Sequence, residues 1–300
     1  MKGGRNLIYD TVIVGKGPAG VSAAIYLARA NLRVLVIGKG YGALEGASVI
    51  ENYYGFSEPI DARILHENGI KQAKRLGAEI LEDEVIDISQ NYEDGSFSVS
   101  TPNEKFLAKS VLLATGKARK NLKIPGFMDF LGKGISFCAI CDGFFFKGKR
   151  IGVIGSGDYA AHEAQELVRF SKDITIFTNG KEAESDKFPP EVKFVKDKIL
   201  KISGEDKVEK IETELNNYQI DGIFVAEGTA GAGDFALKLG IVTKDDNILV
   251  DSGYMTNIPG IFAAGDCIGG LLQIAKAVSD GANVSISIKS YLKNKNGKGK

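Results

Sequence analysis

Cys138 and Cys141 stand two residues apart in Phe137-Cys-Ala-Ile-Cys-Asp-Gly-Phe-Phe-Phe146, and Asp142 follows the second cysteine directly. A two-residue spacer at a turn or helix start can bring two sulfurs within bonding distance. A thiolate formed there gains from the free N–H groups of the helix start, which lowers its pKa. Exchange with another disulfide needs a thiolate attacker and a leaving thiol that is reprotonated. A carboxyl beside the pair can supply that proton. Cys138, Cys141 and Asp142 are therefore the candidate catalytic group. Two other readings stand beside this one. A zinc site needs two further ligands at suitable spacing, and only Cys267, His66 and His162 remain to provide them, none of them paired in sequence. The pair can also be inert buried thiols.

The remaining polar suspects have plainer readings. Cys267 reads as a small buried residue. His162 falls on the helix after a glycine loop and His66 on a polar helix, so both are expected at the surface or as helix caps.

Redox chemistry of this kind needs elements that hold the sulfurs and deliver electrons, and the chain repeats one suitable unit. It runs from Asp10 to Gly38 and again from Lys149 to Gly180. Each copy opens with a short β-branched run that reads as a buried strand. It then turns through a glycine loop into a helix and finishes on a second apolar strand, which is a βαβ unit. In the first copy Gly15 permits the tight turn, Gly17 lets backbone approach a pyrophosphate and Gly20 lets helix pack on strand. The helix start offers N–H groups and a positive dipole end to phosphate. Gly155, Gly157 and Ala160 take these places in the second copy. The first fingerprint is incomplete, because the acid expected about 20 residues on to hold a ribose is missing and the strand ends Ile37-Gly38.

Two more strand ends belong with the first copy. Lys109-SVLLATG ends at Ala114-Thr115-Gly116, and Asn257-IPGIFAAGDC ends at Gly265-Asp266, ahead of a helix from about Leu272. An acid on a strand-end loop suits sugar or ribitol hydroxyls, and the next helix start suits an electron-rich ring edge. Asn91 to Asn103 reads as a hairpin turning at Asp94-Gly95. The expected architecture is α/β with two Rossmann-like, three-layer domains, the second inserted in the first. Residues 1–116 and 242–300 form one, and residues 117–241 the other, which carries the Cys-x-x-Cys pair.

Composition agrees with a globular protein: 44% of residues are hydrophobic and 25% charged. Thirty-eight basic residues balance thirty-eight acidic ones, so no electrostatic case for nucleic acid arises. The basic tail from Lys293 reads as a frayed terminus. No apolar run approaches the roughly 20 residues of a membrane span. The N-terminus lacks the apolar segment and cleavage site of a secretory leader. With three cysteines and no disulfide scaffold, a cytoplasmic protein is expected.

With these pieces in order, the chain resembles the low-molecular-weight thioredoxin reductases along nearly its whole length. The resemblance rests on Gly15-Lys-Gly-Pro-Ala-Gly20, Ile50-Glu-Asn-Tyr-Tyr-Gly-Phe56, Leu112-Leu-Ala-Thr-Gly116, Cys138-Ala-Ile-Cys-Asp-Gly143, the second glycine motif and Ala263-Ala-Gly-Asp266. It implies FAD in the first domain, NADPH in the second, a homodimer, and electrons passing from flavin to the cysteine pair and on to thioredoxin. Gly15, Gly17, Pro18, Ala19 and Gly20 would hold the FAD pyrophosphate. Asn52, Thr115, Gly116, Gly265, Asp266, Gln273 and Ile274 would contact FAD elsewhere. Cys141 would face the flavin, Cys138 would attack the substrate disulfide and Asp142 would manage the thiol protons.

The second domain departs from the family pattern. NADPH-using relatives end the strand after the second glycine helix in His-Arg-Arg, with another arginine four residues on, and these grip the 2′-phosphate. Here the stretch is Phe177-Thr-Asn-Gly-Lys-Glu-Ala-Glu-Ser-Asp-Lys187, without arginine and with three acids. The strand does not end in the acid of an NADH site either. Glu227-Gly-Thr-Ala-Gly-Ala-Gly-Asp234 lacks an expected proline, and Leu272 replaces an arginine. The chain is most similar in these respects to the flavin-dependent ferredoxin:thioredoxin reductases, which take electrons from reduced ferredoxin. Three alternatives stay open: an NADPH-dependent thioredoxin reductase using Lys181 or Lys187 on the phosphate, a dithiol oxidase that passes electrons to oxygen, and a flavin-bound redox sensor without catalysis.

Overall fold

Strand Ile8–Val14 ends in a buried apolar run, Val12, Ile13 and Val14, as a strand covered on both faces requires. It pairs in parallel with Val34–Gly38 on one edge and with Lys105–Leu113 on the other. The computed structural model describes residues 8–46, 49–116, 122–228 and 230–297. The chain divides into two compact units, 1–118 with 231–300 and 119–230.

In the first unit the sheet runs Glu79–Glu82, Val34–Gly38, Ile8–Val14, Lys105–Leu113, Phe97–Ser100, Asp87–Gln90. The last two strands are antiparallel. Lys105–Leu113 is long enough to serve two partners on its outer edge. Its first half pairs with Phe97–Ser100, and its last three residues pair in parallel with Ile261–Ala263. Helix Pro18–Arg29 covers the sheet with small residues, Ala19, Gly20, Ala23 and Ala24, all buried. Helix Ile274–Gly297 crosses it closely. A Cβ at Gly281 would lie 2.2 Å from the Ala19 carbonyl oxygen, so a side chain there would force the helices apart. Leu27, Val36, Leu112, Val284 and Ile288 complete this core, and burying each such side chain contributes about 1.5–3 kcal/mol.

In the second unit five parallel strands run Lys193–Val195, Ile174–Phe177, Ile151–Ile154, Gly222–Val225, Ile135–Ser136. Helix Asp158–Leu167 connects the second copy's two strands. A separate three-stranded antiparallel sheet, Ile199–Ser203, Lys210–Thr213 and Asn217–Gln219, packs Ile202 and Ile211 against Phe177 and Val225.

Two sequence readings shift. The chain returns to the first unit at Gly231 and not at 242, because helix Ala232–Leu239 packs with strand Asp87–Gln90 of that unit. The hairpin also begins earlier than Asn91. Its strands are Asp87–Gln90 and Phe97–Ser100, and Asp94-Gly95 lies in the turn, where Gly95 has φ +67° and the Asp94 carboxylate accepts from Ser96 N–H at 2.8 Å. The first strand escaped notice because it is short and mostly polar, with Ile88 its single buried residue. The basic tail is helical as far as Gly297, and Lys298 to Lys300 lie outside the described residues. Among the described residues no helix is long and apolar enough to cross a membrane.

Candidate active site

Three neighbouring parallel strands of the first unit bring the expected cofactor residues to one edge. Gly15 to Gly20 follow Ile8–Val14, Thr115 and Gly116 follow Lys105–Leu113, and Gly265 and Asp266 follow Ile261–Ala263. The carboxyl ends of parallel strands are where such sheets bind ligands. Gly15 sits at φ +110°, and a Cβ there would lie 2.3 Å from the Ala114 oxygen, so only glycine turns this tightly. At Gly17 a Cβ would meet nothing within 4 Å, which leaves open space over the start of helix Pro18–Arg29. Thr115 Oγ1 is buried without a hydrogen-bond partner among the described residues. Asn52 Nδ2 donates to Gln273 Oε1 at 2.9 Å, which joins those two predicted residues next to Ile274, the first residue of the last helix.

The loop around Gly265 is pinned from below. Lys276 Nζ donates to the Gly265 and Gly269 oxygens at 2.9 and 2.7 Å and pairs with Asp280, whose carboxylate also accepts from Gly265 N–H at 3.0 Å. Glu82 organises the first glycine loop: it accepts from Gly40 N–H at 2.8 Å and pairs with Lys16 Nζ. Burial alone would raise the Glu82 pKa, but Lys16 and the Gly40 N–H outweigh it and hold the carboxyl below the usual range.

His66 differs from its expected place at the surface. The helix Ala62–Arg75 turns Ala62, His66 and Ala73 inward. His66 Nε2 donates to the Lys16 carbonyl at 2.8 Å, and burial lowers its pKa. It therefore holds the glycine loop as a neutral ring. His162 is half-buried on helix Asp158–Leu167. Cys267 is buried as expected, and desolvation pushes its thiol up to about 12.

Cys138 and Cys141 are joined as a disulfide, with Cα atoms 5.3 Å apart. They lie in the second unit, directly after edge strand Ile135–Ser136. Cys138 caps the short helix Ala139–Asp142, and its Sγ accepts from Cys141 N–H at 3.1 Å. Cys138 is 2% exposed, whereas Cys141 is exposed. Ser136 Oγ donates to Asp142 Oδ2 at 2.6 Å and accepts from Cys138 N–H at 3.1 Å. The carboxylate of Glu163, buried, accepts from Ala139 N–H at 2.8 Å. Sequence reasoning missed Ser136, Glu163 and Glu82. Glu163 carried a usable signal, since it shares a helix face with the apolar Ala160, Ala164 and Leu167. Ser136 and Glu82 carried none.

The second glycine loop keeps its shape and changes its charge. Gly155 sits against Ala226, where a Cβ would lie 2.2 Å from the carbonyl oxygen. Asp158 is the first residue of the helix that follows, where a pyrophosphate would meet the N-terminus. It pairs with Lys187 at 2.9 Å, and Glu184 pairs with the same ammonium at 3.2 Å. These two carboxylates raise the Lys187 pKa. Lys181 pairs with Glu227, whose other oxygen is buried without a hydrogen-bond partner among the described residues.

Fold and site describe a dinucleotide-linked disulfide oxidoreductase, and known proteins agree. A family model described as pyridine nucleotide-disulphide oxidoreductase matches residues 9–281. The thioredoxin reductase of Aquifex aeolicus is 32% identical over 96% of this chain and 94% of its own. The crystal structure of an atypical thioredoxin reductase from Desulfovibrio vulgaris Hildenborough is 38% identical with a TM-score of 0.88, covering 95% of this chain and 98% of its own. A ferredoxin-flavin thioredoxin reductase from Clostridium acetobutylicum is 31% identical with a TM-score of 0.71, covering 94% and 97%. The chain belongs to the pyridine nucleotide-disulphide oxidoreductase family, as a homologue of its thioredoxin reductases. It is a flavin oxidoreductase, and its cofactor is FAD. The open face at Gly17 and the orphaned Thr115 hydroxyl fit that group.

Proposed function

We propose that this chain reduces the disulfide of thioredoxin or a thioredoxin-like protein, with electrons from reduced ferredoxin and not from NADPH. The observation that carries the choice of donor is the charge of the second glycine loop. Lys181 and Lys187 are the cations available to a 2′-phosphate in the stretch after Phe177, and carboxylates hold both. Asp158 and Glu227 leave those lysines no net positive charge to offer a pyrophosphate, and Glu184, the second partner of Lys187, adds one negative charge in excess. At about 6 Å two like charges repel by roughly 3 kcal/mol at an effective dielectric near 20. The ferredoxin-flavin reductase among the relatives supports this reading.

In this reading Gly15, Gly17, Pro18, Ala19 and Gly20 hold the pyrophosphate of FAD, while Asn52, Thr115, Gly116, Gly265, Asp266, Gln273 and Ile274 hold the rest. FAD held there would supply the means of turning singly delivered electrons into a pair. Cys141 takes that pair and opens the Cys138–Cys141 bond. Cys138, stabilised as a thiolate by Cys141 N–H, attacks the partner's disulfide once its cover moves aside. Asp142 gives and takes the thiol protons. Resemblance to the family further supports a cytoplasmic homodimer.

The test is anaerobic bleaching of the flavin by NADPH, NADH and reduced ferredoxin, each offered alone. Ferredoxin should bleach it fast and the nicotinamides slowly. Fast bleaching at micromolar NADPH would favour the NADPH-dependent reading, which the preserved turn at Gly155 supports.

A further inference from the structure

Ser136 is buried, and its hydroxyl meets three groups of the redox segment. It accepts from Cys138 N–H at 3.1 Å, donates to Asp142 Oδ2 at 2.6 Å, and has the Cys138 carbonyl at 3.5 Å as a second acceptor. A serine hydroxyl has one proton and two lone pairs, and the proton turns about the Cβ–Oγ bond. Those resources satisfy Asp142 in both of its forms. Against a carboxylate, the serine proton points to Oδ2. Against a carboxylic acid, Asp142 donates to the free lone pair of Oγ, and the serine proton turns to the Cys138 carbonyl. The Cys138 N–H keeps its acceptor throughout.

The frame around this hydroxyl is rigid. Ser136 ends a strand and pairs with Phe224 of the neighbouring parallel strand. Asp142 N–H is bonded to the Cys138 carbonyl at 3.1 Å, so the acid and the second acceptor are tied to one short loop. Such support for a reacting group narrows its geometry.

We propose that Ser136 is a positioning residue of the redox site, a hydroxyl that turns to hold Asp142 in either protonation state while Asp142 exchanges protons with the thiols. The inference rests on the reading of Asp142 as acid and base. In the step concerned, the proton on Asp142 passes to the thiolate sulfur released when the partner's disulfide opens. Asp142 becomes a carboxylate, and the serine proton swings from the Cys138 carbonyl to Oδ2. One proton moves from oxygen to sulfur, and no electrons change hands in that step. A hydrogen bond to a carboxylate is stronger than one to a neutral acid, so the serine favours the product of the donation.

The experiment follows flavin absorbance in stopped flow as dithionite-reduced holoenzyme is re-oxidised by oxidised thioredoxin, across pH, for wild type, D142N, S136A and S136T. D142N should remove one limb of the pH–rate profile. S136A should keep that limb but move it to higher pH by about one unit, because the carboxylate has lost a charge-assisted donor, and should slow the plateau several-fold. S136T, which keeps a hydroxyl, should return both towards wild type, a rescue that mere loss of packing would not give. If D142N loses the limb and S136A leaves it in place, the proposal for Ser136 fails alone. An S136T limb displaced as far as that of S136A also overturns it. If D142N leaves every limb intact, or thioredoxin does not re-oxidise the wild type, the underlying reading fails and Ser136 falls with it.

Discussion

Glu82 stands directly across from Gly38 in the parallel register of the first sheet. Gly38 occupies the strand end where a Rossmann unit ordinarily carries its acid, and a Cβ there would lie 2.7 Å from Lys16 N. The carboxylate has thus moved one strand outward, at the same height, and ties Lys16 to Gly40.

Loss of that carboxylate should loosen the cofactor. Glu82 is largely exposed, so its ion pair is worth at most about 1 kcal/mol, and Glu82→Ala should weaken FAD binding by about two- to fivefold. Fluorescence titration of apoprotein with FAD measures this. The direction with pH follows from the lowered pKa of Glu82. A lowered carboxylate contributes its stabilisation above its unfolded-state value, about 4.3, and loses it as pH falls through the folded one. Wild-type stability in thermal unfolding should therefore drop more steeply on the acid side than that of the variant. Equal profiles would show that Glu82 does not support the loop.

The donor preference predicts a partial reversal. Removing both carboxylates at the second glycine loop, with Asp158→Asn and Glu227→Gln together, should tighten NADPH binding by about tenfold. Calorimetric titration would read the change. Bleaching by NADPH should still be slow, since no guanidinium is present to grip the phosphate. NADPH affinity unchanged by the double substitution would mean that charge is not what closes this pocket.

The frame was legible in the sequence because its determinants are local. Two β-branched runs with glycine turns point to two βαβ units, and Cys138-x-x-Cys141 followed by Asp142 points to a redox pair, which the structure shows as a disulfide. What escaped is long-range. Ser136 and Asp142 are six residues apart, but their bond depends on an edge strand meeting a short helix. Glu82 acts on Lys16 across 66 positions. His66 is on a polar helix, and its burial is decided by the Lys16 carbonyl 50 residues away. The domain return was misplaced because helix Ala232–Leu239 is amphipathic in either unit, and only packing assigns it.

Cys267 predicts a simple thiol count. With Cys138 and Cys141 bonded, it is the one free cysteine, and it is buried with its thiol pushed up to about 12. Reactivity follows the thiolate, so the oxidised native protein should react with no thiol reagent at neutral pH and with one equivalent after denaturation. Two additional equivalents on reduction would complete the count. A native thiol that reacts promptly would contradict the burial.

The two redox cysteines differ in a way that separates access from electrostatics. Cys141 is exposed, while Cys138 is covered but caps a helix and receives the Cys141 N–H. Helix-start N–H groups stabilise a thiolate, so in the reduced protein the ultraviolet thiolate band should titrate at lower pH in Cys141→Ser, which keeps Cys138, than in Cys138→Ser. A bulky alkylating reagent, limited by access, should nevertheless label Cys141 first in reduced wild type. Both serine variants should retain yellow FAD, because neither residue lies in the unit carrying the first glycine loop. Both should lose reduction of thioredoxin, because an electron pair needs two sulfurs to cross from flavin to partner. Turnover by Cys138→Ser at the wild-type rate would remove Cys138 from the role of attacking sulfur and leave the exposed Cys141 to take it.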